Sequence, residues 1–324
     1  MEIIKVKNLT KKYGNLEAVR KISFEVKKGE IFGFLGPNGA GKSTTINMLS
    51  TLVAPTSGKA LINGFDVKEE TNEVRKSIGL VFQDPSLDDR LTAKENLLFH
   101  ARLYGVNNKD CKLRIEEVLK LVELWDRKDS LIKTFSGGMK RRLEIARGLI
   151  HYPAVLFLDE PTIGLDPQTR THIWDYILKL RDVHKMTIFM TTHYMNEAEY
   201  CDRIAIIDQG SVVATGSPAE LKRKVGGDVI KIKSHEKENL RKEIREKYHK
   251  ECKEEDGVLS VEVQKGEEFL PRLFNELESR IDSIEMRKPT LDDVFLKLTG
   301  RQIREEEAST KDHLREQMKM HRRR

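Results

Sequence analysis

The stretch Gly36–Ser43, GPNGAGKS, carries the complete GxxxxGKS pattern of a phosphate-binding loop. It directly follows Ile31–Leu35, an apolar run of strand length, and opens a predicted helix from Lys42 to about Leu52. A strand before the motif and a helix after it are the context that the motif requires. Glycines let the backbone curl until successive N–H groups point at one phosphate, and the helix N-terminus adds partial positive charge there. The sequence therefore predicts a nucleotide-binding α/β protein.

Two side chains of this loop have specific expected roles. Lys42 is expected to bridge the β- and γ-phosphates of a nucleoside triphosphate, and Ser43 to offer its hydroxyl to Mg²⁺. The predicted nucleotide-binding residues here are Gly36, Pro37, Asn38, Gly39, Ala40, Gly41, Lys42, Ser43 and Thr44.

Two carboxylates follow a second buried strand, Val155–Leu158. In sheets of this kind ligands gather at the carboxyl ends of the strands, where Asp159 and Glu160 emerge. Asp159 is the expected Mg²⁺ ligand, and Glu160 the expected general base that polarises the attacking water. An apolar run followed by Asp-Glu is common by itself, so its meaning depends on the phosphate loop.

The composition is that of a heavily charged globular chain. Of 324 residues, 38% are hydrophobic and 34% charged, against about 25% charged in an average protein. No apolar run approaches the ~18–20 residues of a membrane-spanning helix, and the charged N-terminus is unlike a secretory signal. Three scattered cysteines, Cys111, Cys201 and Cys252, have no metal-ligand spacing, which favours reduced thiols in an unexported, soluble protein.

The charge pattern argues against a nucleic-acid partner. The net charge is +6, but acidic and basic residues alternate closely along the chain. Such mixing is typical of a solvated surface with local ion pairs. The like-charge cluster at 321–324 is too short to make a nucleic-acid site, so we expect none.

Strands and helices alternate in the first two thirds of the chain, which predicts a largely parallel sheet covered by helices. The other strands predicted there are Glu2–Val6, Ile22–Val26, Ile78–Phe82, Thr187–Thr191 and Ile204–Asp208, with a helix at Gln168–Val183. A helical insertion spans about Thr92–Trp125. Thr92 and Glu95 form a predicted capping box, Leu97, Leu98, Ala101 and Leu103 an apolar face, and Leu113–Leu124 a second helix.

The pattern restarts after Gly227 and predicts a small α+β module. Its elements are expected at Val229–Lys233, Glu238–His249, Val258–Val263, Glu267–Arg280, Ile284–Arg287 and from Thr290 onward. Pro271 is placed near a helix start, where its missing N–H does no harm. Residues after Gly300 are charged without apolar periodicity, which predicts a frayed helix or disorder.

Further motifs resemble those of ATP-binding-cassette (ABC) ATPases, in the family's order. Phe135–Arg141 resembles the signature loop, and Pro161–Asp166 the D-loop. Gln83, His193 and Tyr13 match the Q-loop glutamine, the switch histidine and the aromatic residue that stacks on adenine. The resemblance implies a P-loop NTPase fold of the ABC type, a mixed sheet with a helical subdomain, plus a small C-terminal α+β module. The expected domains are 1–222, with the helical subdomain at about 84–140, then 223–300 and a charged tail at 301–324.

The resemblance also implies how the site is completed. ATP and Mg²⁺ are the expected cofactors, with Gln83 and His193 joining Glu160 in catalysis and Gln83 joining the Mg²⁺ ligands. Ser136, Gly137, Gly138 and Met139 would serve the site of a second copy, with Asp166 in the D-loop. One copy then cannot complete a site, which implies an ATP-dependent homodimer. Phe135 and Met139 depart from the usual leucine and glutamine of the signature.

The segment Lys288–Phe295 resembles the ending of exporter ATPases of the daunorubicin-resistance type. It implies a separate ABC-2-type membrane permease as partner and a peripheral position on the cytoplasmic face of the membrane. Three alternatives stay open: an importer ATPase, a non-transport ABC ATPase acting on ribosomes or DNA, and a regulatory module. The Lys288–Phe295 ending argues against the importer. The single cassette and the lack of long coiled coils argue against the ribosome or DNA ATPase, and the lack of a recognisable ligand site argues against the regulatory module.

Overall fold

The computed structural model describes residues 1–84, 86–255 and 257–300, so the predicted tail at 301–324 lies outside the described residues. The strands are β1 (Glu2–Tyr13), β2 (Leu16–Lys27), β3 (Ile31–Leu35), β4 (Ser57–Ile62), β5 (Phe65–Asp66), β6 (Ile78–Val81), β7 (Val155–Asp159), β8 (Thr187–Thr192), β9 (Arg203–Asp208), β10 (Ser211–Gly216), β11 (Asp228–Lys233), β12 (Cys252–Glu255), β13 (Val258–Val263) and β14 (Ser283–Arg287). The helices are α1 (Lys42–Leu49), α2 (Thr71–Ser77), α3 (Ala93–Leu103), α4 (Asn108–Leu121), α5 (Gly137–Leu149), α6 (Pro167–His184), α7 (Met195–Ala198), α8 (Pro218–Val225), α9 (Lys237–Tyr248), α10 (Gly266–Glu276) and α11 (Leu291–Thr299).

A six-stranded sheet in the order β10-β9-β3-β8-β7-β6 organises the larger part of the chain. Its neighbours are parallel except for the antiparallel edge pair β9 and β10. Strands β3, β7 and β8 are buried along their whole length, as expected for continuous apolar runs covered on both faces. The predicted mixed sheet is confirmed.

A second sheet, antiparallel and ordered β2-β1-β4-β5, packs on one face of the first. The ring of Phe24 in β2 lies 5.5 Å from that of Phe32 in β3 and 5.9 Å from that of Phe189 in β8. β1 extends to Tyr13, past the predicted end at Val6. The prediction stopped early because bulges interrupt the alternation of buried and exposed residues, and Asn8 adopts a positive φ of 50° there.

Helix α5 packs on the opposite face of the six-stranded sheet, and α3 and α4 pack on α5 and on each other. The predicted capping box of Thr92 and Glu95 is confirmed at the start of α3. Two details of this insertion were wrong. Leu103 is 65% exposed, and of the four residues predicted for the apolar face only Leu97 and Ala101 are fully buried. Helix α4 begins at Asn108, well before the predicted Leu113, because the side chain of Asn107 accepts a hydrogen bond from the Lys109 N–H and caps it.

The C-terminal module consists of the antiparallel sheet β12-β13-β11-β14 with helices α9 and α10, and it has its own apolar core. Pro271 lies inside α10, in its second turn, and not at the helix start. The helix also ends at Glu276, short of the predicted Arg280. An amide at position 271 would bond the carbonyl of Glu267, so this helix lacks one internal hydrogen bond.

The last helix, α11, does not join the core of the C-terminal module. Its buried side chains Leu291, Val294 and Phe295 belong to the hydrophobic core between the six-stranded sheet and its helices, alongside Leu221 of α8. The six-stranded sheet, the β2-β1-β4-β5 sheet and helices α1 to α8 are called the larger part below. Thr290 caps the helix and forms a capping box with Asp293. The chain thus leaves the larger part after α8, builds the C-terminal module, and returns.

This packing makes Phe295 a stability determinant of the larger part. Phe295→Ala should lower the free energy of unfolding by about 3–5 kcal/mol, because it empties a fully buried site. The measurement is guanidinium unfolding followed by tryptophan fluorescence, which suits the question because Trp125 and Trp174 both contact this core.

The matched control for Phe295→Ala is Leu296→Ala, one position along the same helix. Leu296 is 40% exposed, so its truncation should cost less than about 1 kcal/mol. If the tryptophan transition stays unchanged in Phe295→Ala, α11 does not support the larger core.

Within the described ranges, no helix has both the length and the apolar character needed to cross a membrane.

Candidate functional site

The loop Gly36–Ser43 joins β3 to α1 at the carboxyl edge of the six-stranded sheet. Gly41 has φ 105°, and a Cβ there would lie 2.7 Å from the carbonyl oxygen of Ala18, so the turn requires glycine. Gly41 is also the N-cap of α1 and provides no side-chain cap. The first N–H groups of the helix are therefore available to an anion.

The ammonium of Lys42 is held within this loop. Its Nζ donates to the carbonyl oxygens of Gly36 at 2.8 Å and Pro37 at 3.1 Å. It also lies 3.2 Å from Oε1 of Glu160, and both side chains are less than 10% exposed. A buried cation is thus placed between the phosphate loop and the end of β7.

Glu160 follows β7 in a left-handed conformation, with φ 46°, while its N–H donates to Oγ1 of Thr191 at 3.0 Å. This bend aims its carboxylate at two basic groups, Lys42 and Nδ1 of His193, which lies 3.2 Å from Oε2. Burial alone would raise the pKa of Glu160, but its close contacts with His193 and Lys42 outweigh that effect and lower it. The carboxylate is therefore ionised at neutral pH and free to accept a proton.

Asp159 and Ser43 also come together at this edge of the sheet. Oγ of Ser43 lies 3.4 Å from Oδ1 of Asp159, which also accepts a hydrogen bond from Thr191. Burial raises the pKa of Asp159 above its ordinary value, so a cation beside it would be favoured. A hydroxyl and a carboxylate are oxygen donors of the kind that Mg²⁺ prefers, and this ion commonly takes its remaining ligands from phosphate and water. The pair fits the predicted ion.

A cavity of about 930 Å³ connects Lys42, Ser43, Glu160 and His193 with the predicted base-binding residue, whereas Asp159 is not among its lining residues. Its lining includes Tyr13, Lys42, Gln83, Glu160 and His193, contributed by five separate segments of the chain. Tyr13 stands at the open end with 47% of its surface exposed. Gln83 lies two residues beyond the end of β6 at Val81, so the strand is one residue shorter than predicted. The geometry suits a nucleoside triphosphate, with its base at Tyr13 and its phosphates at Lys42.

Two family models match the sequence. "ABC transporter" matches residues 19–163, and "ATP-binding protein DrrA1-3-like, C-terminal domain" matches residues 216–299. Linearmycin resistance ATP-binding protein LnrL of Bacillus subtilis is 41% identical over 94% of this chain and 100% of its own length. The chain belongs to the ABC transporter family of ATP-binding proteins.

Other members of the ABC family are similar over nearly the whole chain. Daunorubicin/doxorubicin resistance ATP-binding protein DrrA of Streptomyces peucetius is 38% identical, covering 92% of each chain. Nod factor export ATP-binding protein I of Burkholderia orbicola is 38% identical over 93% of this chain and 98% of its own. Such full-length similarity includes the C-terminal module.

Solved ABC cassettes share the fold. The dimeric cassette MJ0796, in a post-hydrolysis state with ADP and Pi, has a TM-score of 0.60 and 31% identity over 66% of this chain and 98% of its own. CbiO1 from Clostridium perfringens has a TM-score of 0.64 and 30% identity over 76% of this chain and 96% of its own. With the family established, the chain is an ATPase, and the predicted P-loop NTPase fold is confirmed.

The ABC signature residues stand apart from this cavity. Ser136 caps α5, its Oγ accepting the N–H of Met139 at 3.2 Å. A Cβ on Gly138 would lie 2.5 Å from Thr169 of α6, so glycine permits this close packing. Asp166 of the D-loop caps α6 through the Thr169 N–H at 3.0 Å. None of the residues 136–139, nor Asp166, is among the residues that line the cavity.

Sequence reasoning missed Arg141, which joins several parts of the ABC site. This guanidinium is 6% exposed and donates to the carbonyl oxygens of Pro161 at 2.6 Å and Asp159 at 3.2 Å. It also contacts the carbonyl of Phe82, beside Gln83, and pairs with Glu144 at 3.0 Å. Desolvation lowers the pKa of Arg141, and Glu144 partly offsets it.

The signal for this pair was an arginine and a glutamate three residues apart on a helix face that is otherwise apolar. Oε1 of Glu144 in turn accepts the N–H of Ser86 at 2.8 Å. The signature helix α5 is therefore bonded to both the end of β7 and the segment after Gln83.

Proposed function

We propose that this protein is the ATP-hydrolysing subunit of an exporter, and that it works with a separate ABC-2-type permease at the cytoplasmic face of the membrane. The observation that carries the proposal is the pairing of an ABC cassette with a DrrA-like C-terminal domain in one chain. Full-length relatives are named for drug resistance and for Nod factor export. The molecule exported would be a drug, lipid or other small molecule.

The residues of the cavity suggest how ATP is held. Tyr13 stacks on adenine, and backbone N–H groups of the phosphate loop and of the first turn of α1 surround the phosphates. Lys42 exchanges its contact with Glu160 for the β- and γ-phosphates, since a triphosphate carries more negative charge than one carboxylate. Ser43, Asp159 and Gln83 would hold Mg²⁺, which would supply positive charge to neutralise the phosphates.

Glu160 then acts on the attacking water. Once Lys42 has moved to the phosphates, the ionised Glu160 accepts the proton from the water that attacks the γ-phosphate. His193 is within 3.2 Å of Glu160, and in this position it orients the carboxylate and contacts the γ-phosphate.

A second copy of the chain would complete each site. Ser136 and Gly138 do not line the cavity of their own copy, which supports a head-to-tail dimer in which they contact the γ-phosphate bound by the partner. The D-loops, including Asp166, would meet at the same interface. Because ATP lies between the two copies, its binding closes the dimer and its hydrolysis lets the dimer open.

The helical subdomain and the residues after Gln83 would receive the permease. Helix α3 exposes Phe99 by 55% and Leu103 by 65%, four residues apart and so on one face. Arg141 and Glu144 connect this region to the end of β7 through hydrogen bonds with backbone carbonyl and N–H groups. A movement at the permease would therefore reach Glu160 through rigid contacts.

We assign residues 1–222 to the ATP-binding domain, with the helical subdomain at about 84–140, and residues 223–300 to the accessory module. Helix α11 is the exception within that second range, because it packs on the ATP-binding domain.

The permease proposal is tested by co-expressing the chain with its permease and separating membranes from ribosomes and DNA. The wild-type chain should sediment with membranes, and the double variant Phe99→Glu/Leu103→Glu should leave them. The control is Val183→Glu, which adds a charge at an equally exposed apolar position on α6 and should stay with membranes. Recovery with ribosomes or DNA instead would favour the non-transport alternative.

A further inference from the structure

Glu197 is a buried carboxylate that the proposed chemistry does not use. It lies on the short helix α7, four residues after His193, and is only 2% exposed. It is not among the residues that line the ATP cavity. A buried carboxylate is costly unless hydrogen bonds or charges compensate it, so its partners indicate what it is for.

Two threonine hydroxyls donate to this carboxylate. Oγ1 of Thr162 donates to Oε1, and Oγ1 of Thr192 donates to Oε2 at 2.7 Å. Oγ1 of Thr192 also accepts the N–H of Tyr194 at 2.9 Å. The carboxylate thus bridges two segments that are separate in sequence.

These two segments carry the groups assigned to catalysis. Thr162 stands two residues after Glu160, and Thr192 immediately precedes His193. Glu160 and His193 themselves are 3.2 Å apart. Glu197 therefore fixes the chain on both sides of the Glu160–His193 contact.

Arginines supply the countercharge to Glu197. Nε of Arg170 lies 4.0 Å from Oε1, and its guanidinium lies 4.3 Å from the centre of the Tyr194 ring. Arg141 also interacts electrostatically with Glu197. Arg170 belongs to α6, which begins directly after Asp166, so the bridge continues to the D-loop helix.

We propose that Glu197 is a positioning residue for ATP hydrolysis, bridging Thr162 and Thr192 so that Glu160 and His193 keep their relative placement. It does not line the ATP cavity, and it acts through the two chain segments. The inference rests on the proposed roles of Glu160 and His193.

The test removes one arm of the bridge with little change of shape. Thr192→Val replaces a hydroxyl by a methyl, while Thr192→Ser keeps the hydroxyl. Thr192→Val should lower kcat about tenfold or more, because small misplacements of catalytic groups are costly. The KM for ATP should stay within about twofold, and Thr192→Ser should recover kcat to within about threefold. Glu197→Gln, with a single accepting oxygen, should show the same split between kcat and KM.

The matched control is Thr187→Val at the opposite end of the same strand, β8. Thr187 is equally buried, and its hydroxyl accepts the N–H of Gly29 at 2.9 Å. Thr192→Val loses two side-chain hydrogen bonds and Thr187→Val loses one, so both melting temperatures should fall, and that of Thr192→Val should fall further. Only Thr192→Val should lose kcat.

A second experiment separates an effect on the positioning of catalytic groups from a general loss of protein stability. In a His193→Ala background, adding Thr192→Val should lower single-turnover hydrolysis by less than about twofold, because residues that act as a unit are not additive. The inference is overturned if Thr192→Val costs no more kcat than Thr187→Val, or if its full effect persists without His193. If Glu160→Gln and His193→Ala hydrolyse ATP normally, the assigned catalytic roles fail instead, which is a distinguishable result.

Discussion

Glu160→Gln is expected to slow ATP hydrolysis by at least about two orders of magnitude, because an amide cannot take the proton from the attacking water. Glutamine has the same shape, so the cavity and ATP binding should persist. The change also replaces the 3.2 Å ion pair that holds Lys42 by a weaker contact with a neutral amide, so its ammonium moves to the phosphates more easily. Single-turnover hydrolysis measures the first effect. Size-exclusion with light scattering measures the second, as an ATP-dependent shift from the 37.4 kDa monomer to a dimer.

Glu30→Gln is the control for Glu160→Gln. Glu30 is 8% exposed and precedes β3 at the end opposite the phosphate loop, so its variant should hydrolyse ATP within about twofold of wild type. Wild-type turnover in Glu160→Gln would contradict the general-base assignment. A monomer with and without Mg-ATP would mean that the permease or another ATPase chain completes the site.

Lys42→Ala should lose affinity for ATP and not merely turnover. Hydrogen bonds to charged groups contribute about 1.5–3 kcal/mol, so the Kd for ATP should rise by about 10- to 150-fold. Calorimetric titration with ATP and with adenosine separates the two ends of the cavity. Adenosine, which has no phosphates, should bind Lys42→Ala and the wild type equally, because Tyr13 is untouched.

Lys76→Ala is the control for Lys42→Ala, since Lys76 forms an exposed ion pair with Glu73 on α2 and should not affect ATP binding. Unchanged ATP affinity in Lys42→Ala would show that the phosphates bind elsewhere. Equal losses for adenosine and ATP would show instead that the substitution disturbs the fold of the loop.

The sequence was most informative where structure is determined locally. Strands β3 and β13 have the predicted bounds. In β3 the apolar residues are continuous and in β13 they alternate cleanly, and in both cases flanking glycines or charged residues mark where the strand ends. Strands β4 and β10 were missed. β4 exposes its first three residues, Ser57, Gly58 and Lys59, so its apolar pattern is too short to recognise. Its pairing with β1 comes from tertiary structure.

The same division holds at the site. The phosphate loop and the carboxylates after β7 are contiguous motifs, so sequence alone named Lys42, Asp159 and Glu160. Arg141 and Glu197 were not identified because each also contacts a segment distant in sequence, Arg141 the end of β7 and Glu197 the hydroxyl of Thr162. Those contacts form only after the sheet and helices have packed. Leu103 fails in the opposite direction, since an apolar residue at helical spacing is exposed on α3. Helical spacing alone does not tell an exposed apolar residue from a buried one.

The return of α11 makes the C-terminal module an insertion with two anchors, not a tail. The chain leaves the ATP-binding domain after α8, forms the module, and returns as α11, which packs beside α8. Both ends of the module are therefore fixed close together, and any tilt of it relative to the cassette must bend two connections at once. Truncation after α8 would also strip Leu291, Val294 and Phe295 from the larger core. The module is removed cleanly only by excising residues 227–289 and rejoining the flanks with a short linker, so that α11 stays in place.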